Sequence, residues 1–215
     1  MPIVPESIES YAAAHSTAES DVLRSLATYT RAETKAPGMM TGHLEGRFLE
    51  MLVFAVQPKL VVEVGTFTGY GSISMASALP PGGRLITCDV NEETTAVARR
   101  FAQDEGVADR IEFRLGPALD TIATIDEPID LAFIDADKSS YRGYFEAILA
   151  KLSPRGLIAI DNVLWGGSVV EPPRHDERPD TQALRELNDM LALDTRIVCV
   201  MTTIRDGVTL VRKRT

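Results

Sequence analysis

Residues 60–72 read "LVVEVGTFTGYGS". A short valine-rich run passes without a spacer into a stretch carrying Gly65, Gly69 and Gly71. A run of that length, bounded by glycine, reads as a strand buried on both faces. The glycines let the backbone turn tightly and approach a ligand closely. A helix beginning behind them would offer free N–H groups to a carboxylate or phosphate. The spacing is not G-x-G-x-x-G, which weakens a dinucleotide reading. On these residues alone, a glycine-rich turn with no ligand stands level with a binding loop.

Working outward, four more short apolar runs follow: "RLITC" (84–88), "IEFRL" (111–115), "IDLAFI" (129–134) and "GLIAI" (156–160). Helical stretches separate them. "NEETTAVARRFAQDEG" (91–106) places Glu92 and Glu93 in its first turn, Arg99 and Arg100 later, and Gly106 at its end, as the helix dipole and a glycine C-cap favour. This βαβ alternation predicts an α/β fold, a Rossmann-like parallel sheet with helices on both faces. Near the C-terminus, "TRIVCVMTTI" and "GVTLVRKRT" flank the turn signal "RDG" (205–207), which predicts an antiparallel hairpin added to the sheet. The first forty residues read as helix. "STAE" (16–19) has the form of a capping box, followed by Val22, Leu23, Leu26 and Tyr29 at helical spacing. "KAPGMMTG" (35–42) breaks the pattern, and Leu44, Phe48, Leu52 and Ala55 resume it until Pro58. The expected organisation is one domain over residues 1–215, a helical segment 1–40 and a core 41–215.

Composition narrows the function. Apolar residues make up 45% and charged ones 25% of 215 residues, ordinary for a soluble globular chain. No stretch approaches a membrane span, and "MPIVPESIES" has no basic-then-apolar signal pattern. A formal net charge of −9 makes nucleic acid a poor partner. Cys88 and Cys199 lie in apolar runs, which predicts buried thiols and a cytoplasmic location rather than a disulfide framework. His15, His43 and His175 make no zinc-type spacing.

Open α/β sheets bind ligands beyond the carboxyl ends of their strands. Asp89, after the second run, stands where such folds carry an acid for ribose hydroxyls; its bland alternative is to cap the helix near Asn91. "GPAL" (116–119) follows the third run and says little alone. The fourth run ends in Asp135, Asp137 and Lys138, the fifth in Asp161 and Asn162. Asp137 could cap a helix through Tyr141, Lys138 could be exposed, and Asp161-Asn162 could be an ordinary turn. Taken together, oxygen-rich side chains after two neighbouring strands suit a hard cation such as Mg²⁺.

"EVGTFTGYGS", "CDVNEE", "GPAL", "FIDADKSSY" and "DNVLWGGSVVEPP" together resemble the cation-dependent, S-adenosylmethionine-using O-methyltransferases, which include the catechol and caffeoyl-CoA enzymes. The likeness runs from about Met40 to "DGVTLVRKR"; before that the chain matches only in being helical. The resemblance implies a seven-stranded methyltransferase sheet with S-adenosylmethionine as cofactor. Met40, Glu63, Gly65 and Thr66 would border its methionine and ribose parts, Asp89 its ribose hydroxyls and Ala118 its adenine, with Asp135 also on the cofactor side. Gly71 departs from the family's usual Ser, so a hydroxyl contact would have to come from Ser72. Asp135, Asp161 and Asn162 match the metal ligands, for Mg²⁺ first and Mn²⁺ or Ca²⁺ as alternatives. Lys138 matches the catalytic lysine, which would also touch substrate, and Trp165 part of an aromatic wall around it. Ala136 follows the "DADK" form of the plant and bacterial branch. The implied reaction moves a methyl group to one hydroxyl of a catechol-type small molecule, in a homodimeric enzyme. The rivals are a nicotinamide-dependent oxidoreductase, which leaves Asp161-Asn162 without a role, and a non-enzymatic binding protein with a relic site, which should have lost the metal ligands or the lysine. Specificity is expected to rest on "VVEPPRHDERPD" (169–180) and on the N-terminal helices.

Overall fold

The five apolar runs form five parallel strands in a computed structural model that describes residues 3–173 and 177–214. They are β1 (Leu60–Val64), β2 (Arg84–Asp89), β3 (Ile111–Leu115), β4 (Ile129–Ile134) and β5 (Leu152–Ile160). The expected hairpin follows as β6 (Ile197–Thr202) and β7 (Val208–Lys213). The seven strands form one sheet in the order β3-β2-β1-β4-β5-β7-β6, with β7 antiparallel to both neighbours. The chain reverses its direction of travel across the sheet between β1 and β4, which makes their carboxyl ends the place for a ligand.

Helices cover both faces. α1 (Glu6–Ala14), α2 (Asp21–Glu33), α3 (His43–Val56), α4 (Tyr70–Ser77), α5 (Glu92–Glu105), α6 (Ala118–Ala123), α7 (Tyr141–Lys151) and α8 (Pro179–Leu193) are joined by short connections. Residues of the inner strands feed two cores. Leu60, Val62, Ile129 and Ile134 pack with Phe145, Leu184 and Leu187, whereas Val61, Leu131 and Phe133 pack with Leu26, Leu49 and Phe101. This two-sided burial is why β1, β2, β4 and β5 read as apolar runs; edge strand β3 keeps only Ile111 buried. No helix of the described residues is long and apolar enough to cross a membrane.

Several expectations need correction. The N-terminal forty residues are two α-helices and a 3₁₀ turn at Pro37–Met39. "STAE" does not cap α2. Ser20 does, accepting from Leu23 N–H at 3.1 Å, while Glu19 bonds the Tyr70 hydroxyl. The inward face of α3 carries Glu45, Gly46, Leu49 and Val53, whereas Leu44, Phe48 and Leu52 are half-buried and Ala55 is exposed. Cys88 is buried but Cys199 is partly exposed, and both are free thiols. Asp89 does not cap α5, whose cap is Asn91, accepting from Thr94 N–H at 3.2 Å. Residues 174–176, within the stretch expected to set specificity, lie outside the described residues.

Candidate active site

The ladder hydrogen bonds run one residue past the strands. Gly65 N–H reaches Cys88 O at 2.9 Å, Gly116 N–H reaches Asp89 O at 2.9 Å, Asp135 N–H reaches Val64 O at 2.8 Å and Asp161 N–H reaches Ile134 O at 3.0 Å. These bonds fix Gly65, Asp89, Gly116, Asp135 and Asp161 in a row along one edge. Beyond that edge lies a cavity of about 770 Å³. Met40, Gly65, Thr66, Asp89, Ala118, Asp135, Lys138, Asp161, Asn162 and Trp165 all line it. Glu63, Gly71 and Ser72 do not; they stand behind its wall.

At the β1–β3 end the wall is backbone held by one carboxylate. Asp89 Oδ2 accepts from Thr66 N–H at 3.0 Å and Phe67 N–H at 2.7 Å, and Oδ1 accepts from Asn91 N–H at 2.9 Å. Gly65 has φ +101°, and a Cβ there would stand 1.8 Å from Asp135 O. Only glycine lets β1 and β4 end so close together. Behind the loop, Glu63 is fully buried and accepts from the hydroxyls of Ser72 and, at 2.5 Å, Thr87. Burial pushes its carboxyl up to about 8 against the pull of those hydroxyls. Gly71 leaves the space beside it: a Cβ would meet Glu63 Oε1 at 2.8 Å.

At the β4–β5 end the wall is charged. Lys138 sits in a 3₁₀ turn at Lys138–Ser140 and is only 8% exposed, so it is not the solvated lysine that spacing alone allows. Its Nζ donates to Asp135 Oδ1 at 3.1 Å, Asn162 Oδ1 at 2.5 Å and Tyr141 OH at 2.5 Å. Asn162 has φ +58°, a left-handed conformation asparagine tolerates, and it turns the amide back over the β5 end. Asp137 accepts from Tyr144 OH at 2.7 Å; partial burial raises its pKa, but the hydroxyls of Ser140, Tyr144 and Ser139 outweigh that and hold it below the usual range.

Asp161 is 3% exposed, and burial followed by the nearby Asp135 charge pushes its carboxyl up to about 7. Sequence reading missed its neighbour. Glu45, in the first turn of α3, is 1% exposed and faces Asp161. Burial, then the Asp161 charge, holds its carboxyl well above the ordinary range. Glu45 Oε1 and Asp161 Oδ1 have no donor other than a proton shared between the two carboxyls. Arg205, in the β6–β7 turn, lies 3.7 Å from Glu45 Oε2 and donates to Met40 O at 3.1 Å. The available signal was the period Glu45–Leu49–Val53, which puts an acid on a buried helical stripe. Tyr141 was also missed as a partner, though its position three residues past Lys138 was visible.

Among the described residues, no group of three or more His, Cys, Asp or Glu side chains is placed to hold a metal ion. A cation here would rest on two carboxylates and an amide oxygen. Asp161, whose buried Oδ1 finds only a proton shared with Glu45, fits that demand, since a buried carboxylate needs a proton or a cation.

Comparison with known proteins agrees with this architecture. The O-methyltransferase family model matches residues 13–214. Caffeoyl-CoA O-methyltransferase 1 of Eucalyptus globulus is 40% identical over 184 residues, covering 81% of this chain and 75% of that protein. The O-methyltransferase TomG of Streptomyces achromogenes, solved with S-adenosylmethionine and involved in tomaymycin synthesis, superposes with a TM-score of 0.87 at 31% identity over 97% of this chain and 96% of its own. The methyltransferase PaMTH1 of Podospora anserina, solved with S-adenosylhomocysteine, gives 0.89 at 26% identity over 100% and 98%. The match displaces the nicotinamide-dependent oxidoreductase reading. With a family model spanning nearly the whole sheet and the cavity at its carboxyl edge, the chain belongs to the O-methyltransferase family that its sequence blocks resemble.

Proposed function

We propose that this enzyme transfers the methyl group of S-adenosylmethionine to one hydroxyl of a catechol-type small molecule with the help of a divalent cation, Mg²⁺ first. The observation that carries this reading is that one cavity holds both ends of the site. It has a backbone-and-carboxylate wall at one end and Asp135, Lys138, Asp161 and Asn162 at the other. The S-adenosylmethionine and S-adenosylhomocysteine held by TomG and PaMTH1 support the choice of cofactor.

In this reading Met40, Gly65, Thr66, Ala118 and Asp135 bound the cofactor, and Asp89 holds both the glycine loop and the ribose hydroxyls. Glu63, Gly71 and Ser72 brace that wall from behind. Asp135, Asp161 and Asn162 hold the cation, and Trp165 borders the substrate. When bound, the cofactor supplies the electrophilic methyl and the cation lowers the pKa of the hydroxyl it holds. Lys138 Nζ takes the departing proton as the free amine, after the ammonium has released its own proton to solvent. The fixed strand ends supply orientation.

Two free cysteines support a cytoplasmic setting. Exposed Met51 and Phe54 on α3, with Val200 and Met201 on edge strand β6, support pairing of two copies; light scattering giving a monomer mass at micromolar concentration contradicts that part. The test of the reaction is a panel of vicinal diols (simple catechols, hydroxycinnamates and their CoA esters, dihydroxybenzoates) with labelled S-adenosylmethionine. Transfer to at least one diol, and none to its monohydroxy counterpart, is the expected result. No transfer to any diol refutes the reading.

A further inference from the structure

Lys138 carries a positive charge into the place proposed above for a divalent ion. Its Nζ lies 3.1 Å from Asp135 Oδ1 and 2.5 Å from Asn162 Oδ1, so it uses oxygens from two of the three residues assigned to the cation. An ammonium has three donors and no acceptor. The third donor goes to the Tyr141 hydroxyl at 2.5 Å. The lysine is 8% exposed and the tyrosine 1%, so water does little to replace a lost partner. A hard cation drawing on the same carboxylate and amide removes two of the three acceptors and adds like-charge repulsion at close range.

What remains for the lysine is on α7 and beside the β5 end. Tyr141 belongs to no expected ligand set, and its oxygen stays available when Asp135 and Asn162 turn to a metal. Nζ also lies 4.6 Å from the Tyr141 ring centroid and 5.6 Å from that of Trp165, within reach of two aromatic faces that attract an ammonium. We propose that Lys138 and the divalent cation compete for Asp135 and Asn162, and that Tyr141 is the positioning residue that receives the displaced lysine and keeps Nζ beside the reacting hydroxyl. The inference rests on the cation reading of the site.

The test needs no turnover. Mn²⁺ is titrated calorimetrically into the wild-type protein, Lys138→Met, Tyr141→Phe and the double variant, at one pH and ionic strength, with folding of each checked by thermal melting. Lys138→Met should bind Mn²⁺ about tenfold tighter or more, the scale of one charge-assisted hydrogen bond no longer in competition. Tyr141→Phe should bind it several-fold more weakly, because the displaced ammonium has lost its acceptor. In the Lys138→Met background the tyrosine change should have no effect, which a general structural role would not produce. Wild-type or weaker affinity in Lys138→Met overturns the competition, and that arm decides it even if Tyr141→Phe fails to fold. Unchanged affinity in Tyr141→Phe, or an equal loss with and without the lysine, overturns the positioning role. Absence of Mn²⁺ binding to the wild-type protein refutes the cation reading itself, a result distinct from any pattern among the variants.

Discussion

At the β1–β3 end of the cavity, Asp89 accepts from three backbone N–H groups with acceptor capacity to spare, and Glu63 Oε2 accepts from two hydroxyls. At the β4–β5 end, Asp135, Asp161 and Glu45 share one lysine and one arginine, and two buried carboxyl oxygens have no donor beyond a proton shared between Glu45 and Asp161. The same sheet edge builds both. The first end is complete within the chain and can receive a ligand without rearranging, as preorganised sites do. The second is electrostatically incomplete and gains most from something brought in. Under the proposed function, shape and affinity belong to one end and chemistry to the other.

The sharpest break of that division is at Lys138. Lys138→Ala should lower the maximal rate about 10²–10⁴-fold, the usual weight of a general base, while leaving cofactor affinity nearly intact. Raising the pH should restore part of the rate, because the acidified hydroxyl can then lose its proton to solvent. Asp135→Ala should differ by losing metal and substrate binding together. A pH–rate profile at saturating cofactor and metal checks this; a wild-type profile for Lys138→Ala would move the base elsewhere.

A smaller effect belongs to the other end. Asp89→Ala should weaken S-adenosylhomocysteine binding by roughly 1.5–3 kcal/mol, the range for hydrogen bonds to a charged group, with little change in the rate of the bound complex. Calorimetry measures it, and unchanged affinity would leave Asp89 with only the loop to hold.

A third effect is on stability and needs no ligand. The Glu63 carboxyl is raised from 4.5 to about 8 in the folded chain, so between those values the folded state holds a proton the unfolded state has released. The contribution is fully present below about 4.5 and is lost as pH rises towards 8. Glu63→Gln cannot lose that proton. Wild-type stability should therefore fall relative to Glu63→Gln by up to about 1.4 kcal/mol per pH unit across the window. Urea unfolding at several pH values reads this directly, and a constant difference would mean that the buried carboxyl titrates normally.

These contrasts also mark what could be read from the chain. β1, β2, β4 and β5 were legible because burial on both faces turns each into an apolar run, edge strand β3 followed from the βαβ spacing, and "RDG" marked the hairpin. Asp89, Asp135, Asp161 and Asn162 were legible because each directly follows a strand. The N-terminal cap was misplaced because "STAES" offers two serines, and Ser20 is chosen by tertiary contacts that occupy Glu19. Glu45 was missed because a hydrophobic count along α3 selects Leu44, Phe48 and Leu52, while the buried stripe contains an acid and Gly46, whose Cβ would meet Tyr70 Cε1 and Ser74 Oγ at 2.8 Å. Whether Lys138 was exposed could not be read locally. Its burial depends on β4 and β5 lying side by side and on the left-handed turn at Asn162.

The most direct measurement of the account is methyl transfer to a responsive diol after exhaustive chelation, with metal content determined on the same sample. The account predicts that transfer is abolished by chelator, returns with Mg²⁺ or Mn²⁺, and that S-adenosylhomocysteine affinity changes far less, because the β1–β3 end is complete without the ion. Full activity in excess chelator, with no metal detected, would contradict it.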